Sequence, residues 1–182
     1  MKNQYSKFIK YLEKQDNIFV QRSGDSVYLT DGNVALMVPS MVYDSMIRPL
    51  SGLLPELKED CTGAKRVNDL FVEVRQNGMD IKNVVEKLNT EKIITKTNFL
   101  LEIPSTYKRG KLTLVRIFKT EGKGDIIAIN NTFVEIFSEC SIGEPWRSSG
   151  CWNGGIIQKN NDFAFVIMPM KIDSKYFEIW KD

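Results

Sequence analysis

Apolar positions Tyr5, Phe8, Ile9 and Leu12 follow the i, i+3, i+4, i+7 spacing of one helical face, and Lys7, Lys10 and Lys14 fall on the opposite side of the same wheel. The spacing predicts a short amphipathic helix with a lysine stripe. Ile18 to Val20, Val27 to Leu29 and Val34 to Val38 are β-rich runs, separated by the turn-forming stretches Arg22-Ser23-Gly24-Asp25 and Thr30-Asp31-Gly32-Asn33. They predict a three-strand meander. Pro39-Ser40 then has the character of a helix start, with Val42, Met46, Ile47 and Leu50 inward and Pro49 limiting its length.

Ser51 to Asp60, reading SGLLPELKED, mixes Gly and Pro with charge and is the best linker, so a mainly helical insertion is expected over about residues 51–92. Within it, Val67, Leu70, Phe71 and Val74 have helical spacing, although Leu70 to Val74 would also suit a strand, and Asn77-Gly78 ends the run. Asp80 is a candidate N-cap for a helix with Ile81, Val84, Val85 and Leu88 on one face. Two such helices invite a helix-turn-helix reading. The second offers only Lys82 and Lys87 as cations and no Arg or Gln to read bases, which weighs against it.

From Ile93 the pattern becomes strand-like: Ile93-Ile94, Phe99 to Ile103, Leu112 to Phe118 and Ile126 to Ile129. One helix interrupts it, capped by Asn131 or by a Thr132–Glu135 capping box, with Phe133, Ile136, Phe137 and Cys140 as its stripe. Ile156 to Gln158 and Asp162 to Met168 read as a closing hairpin across Asn160-Asn161, and Tyr176 to Trp180 alternates as an edge strand would.

The stretch IIAINNTFVEIFSECS from Ile126, followed by GGIIQKNNDFAFVIMPMKI ending at Ile172, resembles the final half-repeat of a bacterial DNA sliding clamp. Its most specific part is the ending Val166-Ile167-Met168-Pro169-Met170-Lys171-Ile172, read as a closing strand. The first helix, its strands and Thr30-Asp31-Gly32-Asn33-Val34-Ala35 are similar to the opening half of such a repeat. The resemblance implies an α+β fold, sliding-clamp-like, with antiparallel sheets and two short amphipathic helices in one domain spanning residues 1–182. Basic helical residues line the DNA-facing hole in that family, a role that would fall to Lys7, Lys10 and Lys14. The second helix would expose Glu135, Ser138 and Glu139 instead, an acidic lining that repels a duplex. A chain of 182 residues holds one enlarged repeat or two trimmed ones, so a closed ring needs several subunits.

Composition bears on the chemistry mainly through what is missing. The chain has no histidine, which excludes Ser-His-Asp and Cys-His catalysis and His-based metal sites. Cys61, Cys140 and Cys151 are an odd number without CxxC spacing and read as reduced thiols. The longest near-apolar stretch, Phe163 to Met170, contains Pro169 and is far short of the roughly 20 residues that cross a bilayer. A cytoplasmic protein without cofactor or metal and without enzymatic activity is expected.

Net charge is +2, but unevenly placed: −1 over residues 1–60, +6 over 61–124 and −3 over 125–182. The basic middle, with Lys65, Arg66, Arg75, Lys108, Arg109 and Lys111, is a candidate electrostatic footprint for phosphate or for an acidic protein surface. The alternative is a solvated lysine-rich surface, since the chain has 18 Lys and 7 Arg. Trp146, Arg147 and Trp152 lie in a loop of small residues, the composition of a binding hot spot or a base-stacking platform. Both indoles folding back as a lid on the sheet is the competing reading. Glu121-Gly122-Lys123-Gly124-Asp125 lacks the spacing of a phosphate loop and reads as a hairpin turn.

Together these features lead to the expectation of a clamp-like binding protein, phage or mobile-element encoded, that acts on a polymerase-type or Cas9-type DNA-processing complex. DNA is a further candidate ligand, and homodimerisation through sheet edges is expected. The alternative from a different class is an anti-CRISPR inhibitor of a Cas9-type RNA-guided nuclease, a small catalytically empty chain rich in Lys, Ile and Asn.

Overall fold

The computed structural model describes residues 4–58, 64–68, 70–73, 81–87, 92–105, 110–121, 126–138, 144–148, 155–170 and 172. Helix α1 (Ser6–Leu12) forms on the apolar spacing at the amino terminus and buries Phe8, Ile9 and Leu12. The meander follows as β1 (Phe19–Ser23), β2 (Ser26–Thr30) and β3 (Val34–Pro39). Its second turn is set by side chains. The Asp31 carboxylate accepts from the Asn33 and Val34 amides at 2.9 and 3.0 Å, and the Gly32 amide donates to Thr30 Oγ1. Gly32 sits at φ +93°, which only glycine adopts readily.

Ser40–Leu50 is helical, as Pro39-Ser40 predicts, but α2 (Ser40–Val42) widens into a π-helical turn over Tyr43–Ile47 and tightens into a 3-10 turn over Arg48–Leu50. The widened turn changes which face points inward. Tyr43 and Ile47 are fully buried, whereas Met46 and Leu50, expected inside, are 42% and 38% exposed.

The Val67–Val74 periodicity does not make a helix: β4 (Ala64–Val67) and β5 (Leu70–Glu73) form a hairpin turning at Asn68, whose φ is +49°. β4 pairs with β1, so the hairpin extends the meander sideways, and the helix-turn-helix reading falls with the missing first helix. The expected insertion over 51–92 therefore contributes a hairpin as well as α3 (Ile81–Lys87). Asp80 lies outside the described residues. The α3 amides of Ile81 and Lys82 donate to Oε1 of Gln21, a buried side chain on β1, so the cap comes from a strand 60 residues away.

Ile93-Ile94 and Phe99 to Ile103 belong to one strand, β6 (Lys92–Pro104), with a bulge between Lys96 and Leu100. β7 (Leu112–Thr120) and β8 (Ile126–Asn130) complete a second meander. Helix α4 (Asn131–Ser138) buries Val134, Ile136 and Phe137. Its start differs from the expected capping box: Asn130 Oδ1 accepts from the Thr132 amide, and Glu135 accepts from Asn131 Nδ2 instead of the backbone. Short β9 (Arg147–Ser148) precedes the hairpin β10 (Ile156–Lys159) and β11 (Ala164–Ile167). Asn160 Oδ1 accepts from the Asp162 and Phe163 amides in its loop.

All pairings among the described residues are antiparallel, giving one 11-stranded sheet in the order β5-β4-β1-β2-β3-β11-β10-β9-β6-β7-β8. The two halves of the chain join in its middle, where Ala164–Ile167 pairs with Val34–Met37. Strand alternation sends one set of side chains, including Val20, Leu29, Leu36, Phe118, Ile129 and Phe165, to the core beneath α1 and α4. The opposite set, including Tyr28, Met37 and Val166, packs with Ile81 and Val85 of α3.

The expected closing strand to Ile172 ends at Ile167. Beyond it the Met168 amide donates to the Asn33 carbonyl and the Met170 amide to the Ala128 carbonyl, both at 2.8 Å. Those acceptors lie at the β2–β3 turn and on terminal strand β8, so the sheet curls until its β8 end reaches its middle. Met170 and Ile172 then pack over Ile103, Val115, Ile117 and Ala128.

Tyr43 donates to the Pro55 carbonyl at 2.6 Å, and burial, reinforced by the Asp44 charge and opposed by Arg48, holds its pKa well above the ordinary tyrosine value of 10.0. A raised tyrosine pKa adds stability that is complete below about pH 10 and is lost as pH rises beyond it, because the unfolded chain then ionises first. Urea titrations are expected to show wild-type stability falling more steeply than that of Tyr43→Phe between about pH 10 and 11, by up to about 1.4 kcal/mol per unit. Near neutrality the same substitution is expected to cost about 1 kcal/mol.

Candidate nucleic-acid interface

Helices α1 and α4 come from opposite halves of the chain and lie side by side on the sheet. Phe8 stacks on Phe137 with centroids 5.5 Å apart, Phe137 packs on Phe165 of β11 at 4.9 Å, and Tyr11 meets Phe133 edge-on at 5.5 Å. The Tyr11 hydroxyl also donates to Asp31, which fixes α1 to the β2–β3 turn. With the aromatic face held down, the polar face of α1 is forced outward, and Lys7, Lys10 and Lys14 are all exposed.

Lys7 and Lys10 stand on the helix, and Lys14 lies in the turn after it, where its amide donates to the Tyr11 carbonyl at 3.1 Å. At about 1.5 Å rise per residue the row extends roughly 10 Å, matching about three phosphates of one duplex strand. The neighbouring outward face of α4 carries Thr132, Glu135 and Ser138. The helix pair is therefore electrostatically two-sided, cationic on α1 and carrying one carboxylate on the described part of α4. Glu139, also expected on that face, lies outside the described residues.

Other candidate residues are engaged elsewhere. Arg66 reaches back from β4 to the end of α1, where its Nη1 donates to the Glu13 and Gln15 carbonyls at 2.9 and 3.1 Å. Glu13 is the C-cap of α1 and Gln15 lies just beyond it, so Arg66 serves as a cap on the helix end. Its Nη1 is thus committed to the end of α1. Arg116, not singled out from sequence, donates from Nε to Asn131 Oδ1 at 3.0 Å and from Nη1 to the Thr97 carbonyl at 3.2 Å, tying β7 to the start of α4.

Trp146 is half-buried, edge-on to Phe118 with centroids 6.3 Å apart, and its carbonyl accepts from the Ile94 amide. The indole thus rests against the sheet as the lid reading expects, with part of its surface still open. Arg147 is a half-buried residue of β9, registered against Ile157 and Ile93. Lys111 is exposed beside Gly110, whose φ is +75°. Lys65 takes its place in β4 opposite Val72. Arg75, Lys108, Arg109 and Trp152 lie outside the described residues, as do the three cysteines and the Tyr176–Trp180 stretch.

Among the described residues no group of three or more Cys, Asp or Glu side chains is placed to hold a metal ion, and no helix is long and apolar enough to cross a membrane. A small crevice of about 10 Å³ beneath α1, room for roughly one water, is lined chiefly by Ile9, Leu12, Ile18, Leu53, Leu54 and Phe71. Its walls supply shape but little polar chemistry.

Comparison with protein-family models and with curated proteins returns no match. Among solved structures, the chain is similar to the DNA polymerase III beta subunit of Thermotoga maritima, with a TM-score of 0.47 and 11% identity over 94% of this chain and 63% of that one. The corresponding subunit of Borrelia burgdorferi gives 0.41 and 14% over 95% and 62%, and that of Streptococcus pyogenes 0.41 and 10% over 96% and 64%. The chain thus spans less than two thirds of the length of each.

Because Arg66 caps α1, Arg66→Ala is expected to lower stability by about 1 to 3 kcal/mol in urea denaturation. It is expected to leave the salt dependence of any duplex binding unchanged, as a side chain spent on carbonyls releases no counterions.

Proposed function

We propose that this protein is a non-enzymatic, clamp-like binding protein of a DNA-processing complex, and that the lysine row of α1 is its phosphate-facing surface. The observation that carries the reading is the pairing of α1 and α4 in the hollow of a curled antiparallel sheet, with Lys7, Lys10 and Lys14 outward. That arrangement agrees with the resemblance of both chain halves to clamp half-repeats. The carboxylate on α4 limits the attraction, so the surface suits weak contact with a duplex held in place by a protein partner. A polymerase-type component is the partner class most consistent with such a helix face.

Fluorescence anisotropy with a labelled duplex, titrated between about 50 and 200 mM salt, tests this directly. Three phosphate contacts predict a slope of log K against log salt near −2.7. The triple substitution Lys7→Glu, Lys10→Glu, Lys14→Glu is expected to weaken binding at least about tenfold and to flatten the slope toward zero. A flat wild-type response, or a triple variant that binds as the wild type does, would reject the α1 surface.

A further inference from the structure

One corner of the first meander gathers buried donors that the fold leaves unsatisfied. Among the described residues, the buried side-chain polar atoms without a hydrogen-bond partner are Arg22 Nε, Arg48 Nε and Ser40 Oγ. The topology brings their residues together. Arg22 stands in line with Val27 and Val38 across the meander, and Ser40 follows Val38 by two residues, so Arg22 and Ser40 share a sheet face. Ser40, Asp44 and Arg48 then succeed one another at about one-turn intervals along the helical segment that leaves β3. The wall beside Arg22 is fixed, since its Nη1 donates to the Leu57 carbonyl at 3.0 Å and Tyr43 holds the Pro55 carbonyl.

Asp44 lies between the two guanidiniums without a hydrogen bond to either. Its Oδ2 is 3.8 Å from Arg22 Nη1 and its Oδ1 is 3.8 Å from Arg48 Nε, both beyond hydrogen-bond range. The Asp44 side chain is 38% exposed and that of Arg22 17%, which sets the carboxylate at the mouth and the Arg22 guanidinium within. Glu56, whose side chain is 79% exposed, stands 3.7 Å from Arg48 Nη1 and adds little. The Ser40 amide is already used on the Asp25 carbonyl at 2.7 Å, while its buried hydroxyl is not. All three unmet groups can donate, so what the corner lacks is an acceptor.

We propose that Arg22, Arg48 and Ser40 form a binding site for a free or terminal phosphate group, and that Asp44 is its resident stand-in. The carboxylate holds the place between the guanidiniums and turns out to solvent when phosphate enters. Guanidinium groups suit phosphate oxygens in geometry as well as charge, and a tetrahedral anion offers enough acceptors for both Nε–H groups and the hydroxyl at once. With Asp44 displaced, the two arginine charges balance a phosphate dianion. A backbone diester carries a single charge and cannot project into a corner this enclosed, so the dianion is the better match. The inference rests on the meander and its helical segment, and does not depend on duplex binding by α1.

Nitrogen-15 NMR of the arginine Nε–H groups in the full chain tests it, titrating inorganic phosphate against sodium chloride at matched ionic strength. The Arg22 and Arg48 signals are expected to move saturably with phosphate below about 20 mM and to stay in place with chloride. Asp44→Asn removes the resident carboxylate and is expected to tighten phosphate binding at least about fivefold, the reverse of what loss of a purely structural ion pair would do. Ser40→Ala and Arg48→Gln are each expected to weaken it about tenfold. Signals that follow ionic strength alone, Asn at position 44 binding no more tightly than wild type, or both weakening variants binding as wild type does would overturn the site. A duplex without terminal phosphates that moves both signals as strongly would overturn the choice of ligand.

Discussion

Phe8, Phe137 and Phe165 form a continuous aromatic stack that belongs to three distant parts of the chain: α1, α4 and the closing strand β11. All three rings are essentially excluded from solvent. Each aromatic pair in such an arrangement contributes about 0.5 to 1.5 kcal/mol beyond the area it buries. Geometry matters more here than that increment. Once α1 and α4 must share one interior against β11, the first and last parts of the chain cannot fold as independent units. The lysines of α1 are then left no direction but outward.

The backbone reinforces the same union. β3 and β11 join the halves through a ladder at the centre of the sheet, and Met168 and Met170 carry the chain on to bond with Asn33 and Ala128. The Met-Pro-Met segment thus works as a strap drawn across the curl, although it lies beyond the end of its strand. Its effect on the edges is unequal: it occupies a carbonyl of β8, whereas no described residue pairs with the outer side of β5. Curl, helix pairing and edge asymmetry leave the chemistry of this protein on its outer surfaces, with apolar packing within.

Elements whose signals are local were legible in the sequence. Tyr5, Phe8, Ile9 and Leu12 specify a helical face by spacing alone, and the Thr30–Asn33 turn and the Asn160 loop carry their own acceptors. The Val67–Val74 stretch was ambiguous because a short apolar run fits both periods, and pairing of β4 with β1 decided it in favour of strand. Met46 and Leu50 were misplaced because a π-helical turn shifts the face by one residue, which a 3.6-residue wheel cannot register. Of the candidate site, the lysine row was readable from α1 itself. The caps supplied by Arg66 and Gln21 were not, since each joins groups more than 50 residues apart through a contact that only the folded sheet creates. Trp146 shows the converse: its loop composition suggests recognition, but Phe118 offers it an apolar wall.

The interdependence of the helices is best measured by a double-mutant cycle on Phe8→Leu and Phe137→Leu, following stability by urea denaturation. The account predicts that the two changes are coupled by about 0.5 to 1.5 kcal/mol, with the double variant destabilised less than the sum of the singles. Additive effects within about 0.3 kcal/mol would show that α1 and α4 are held independently, contradicting the shared interior on which the orientation of Lys7, Lys10 and Lys14 depends.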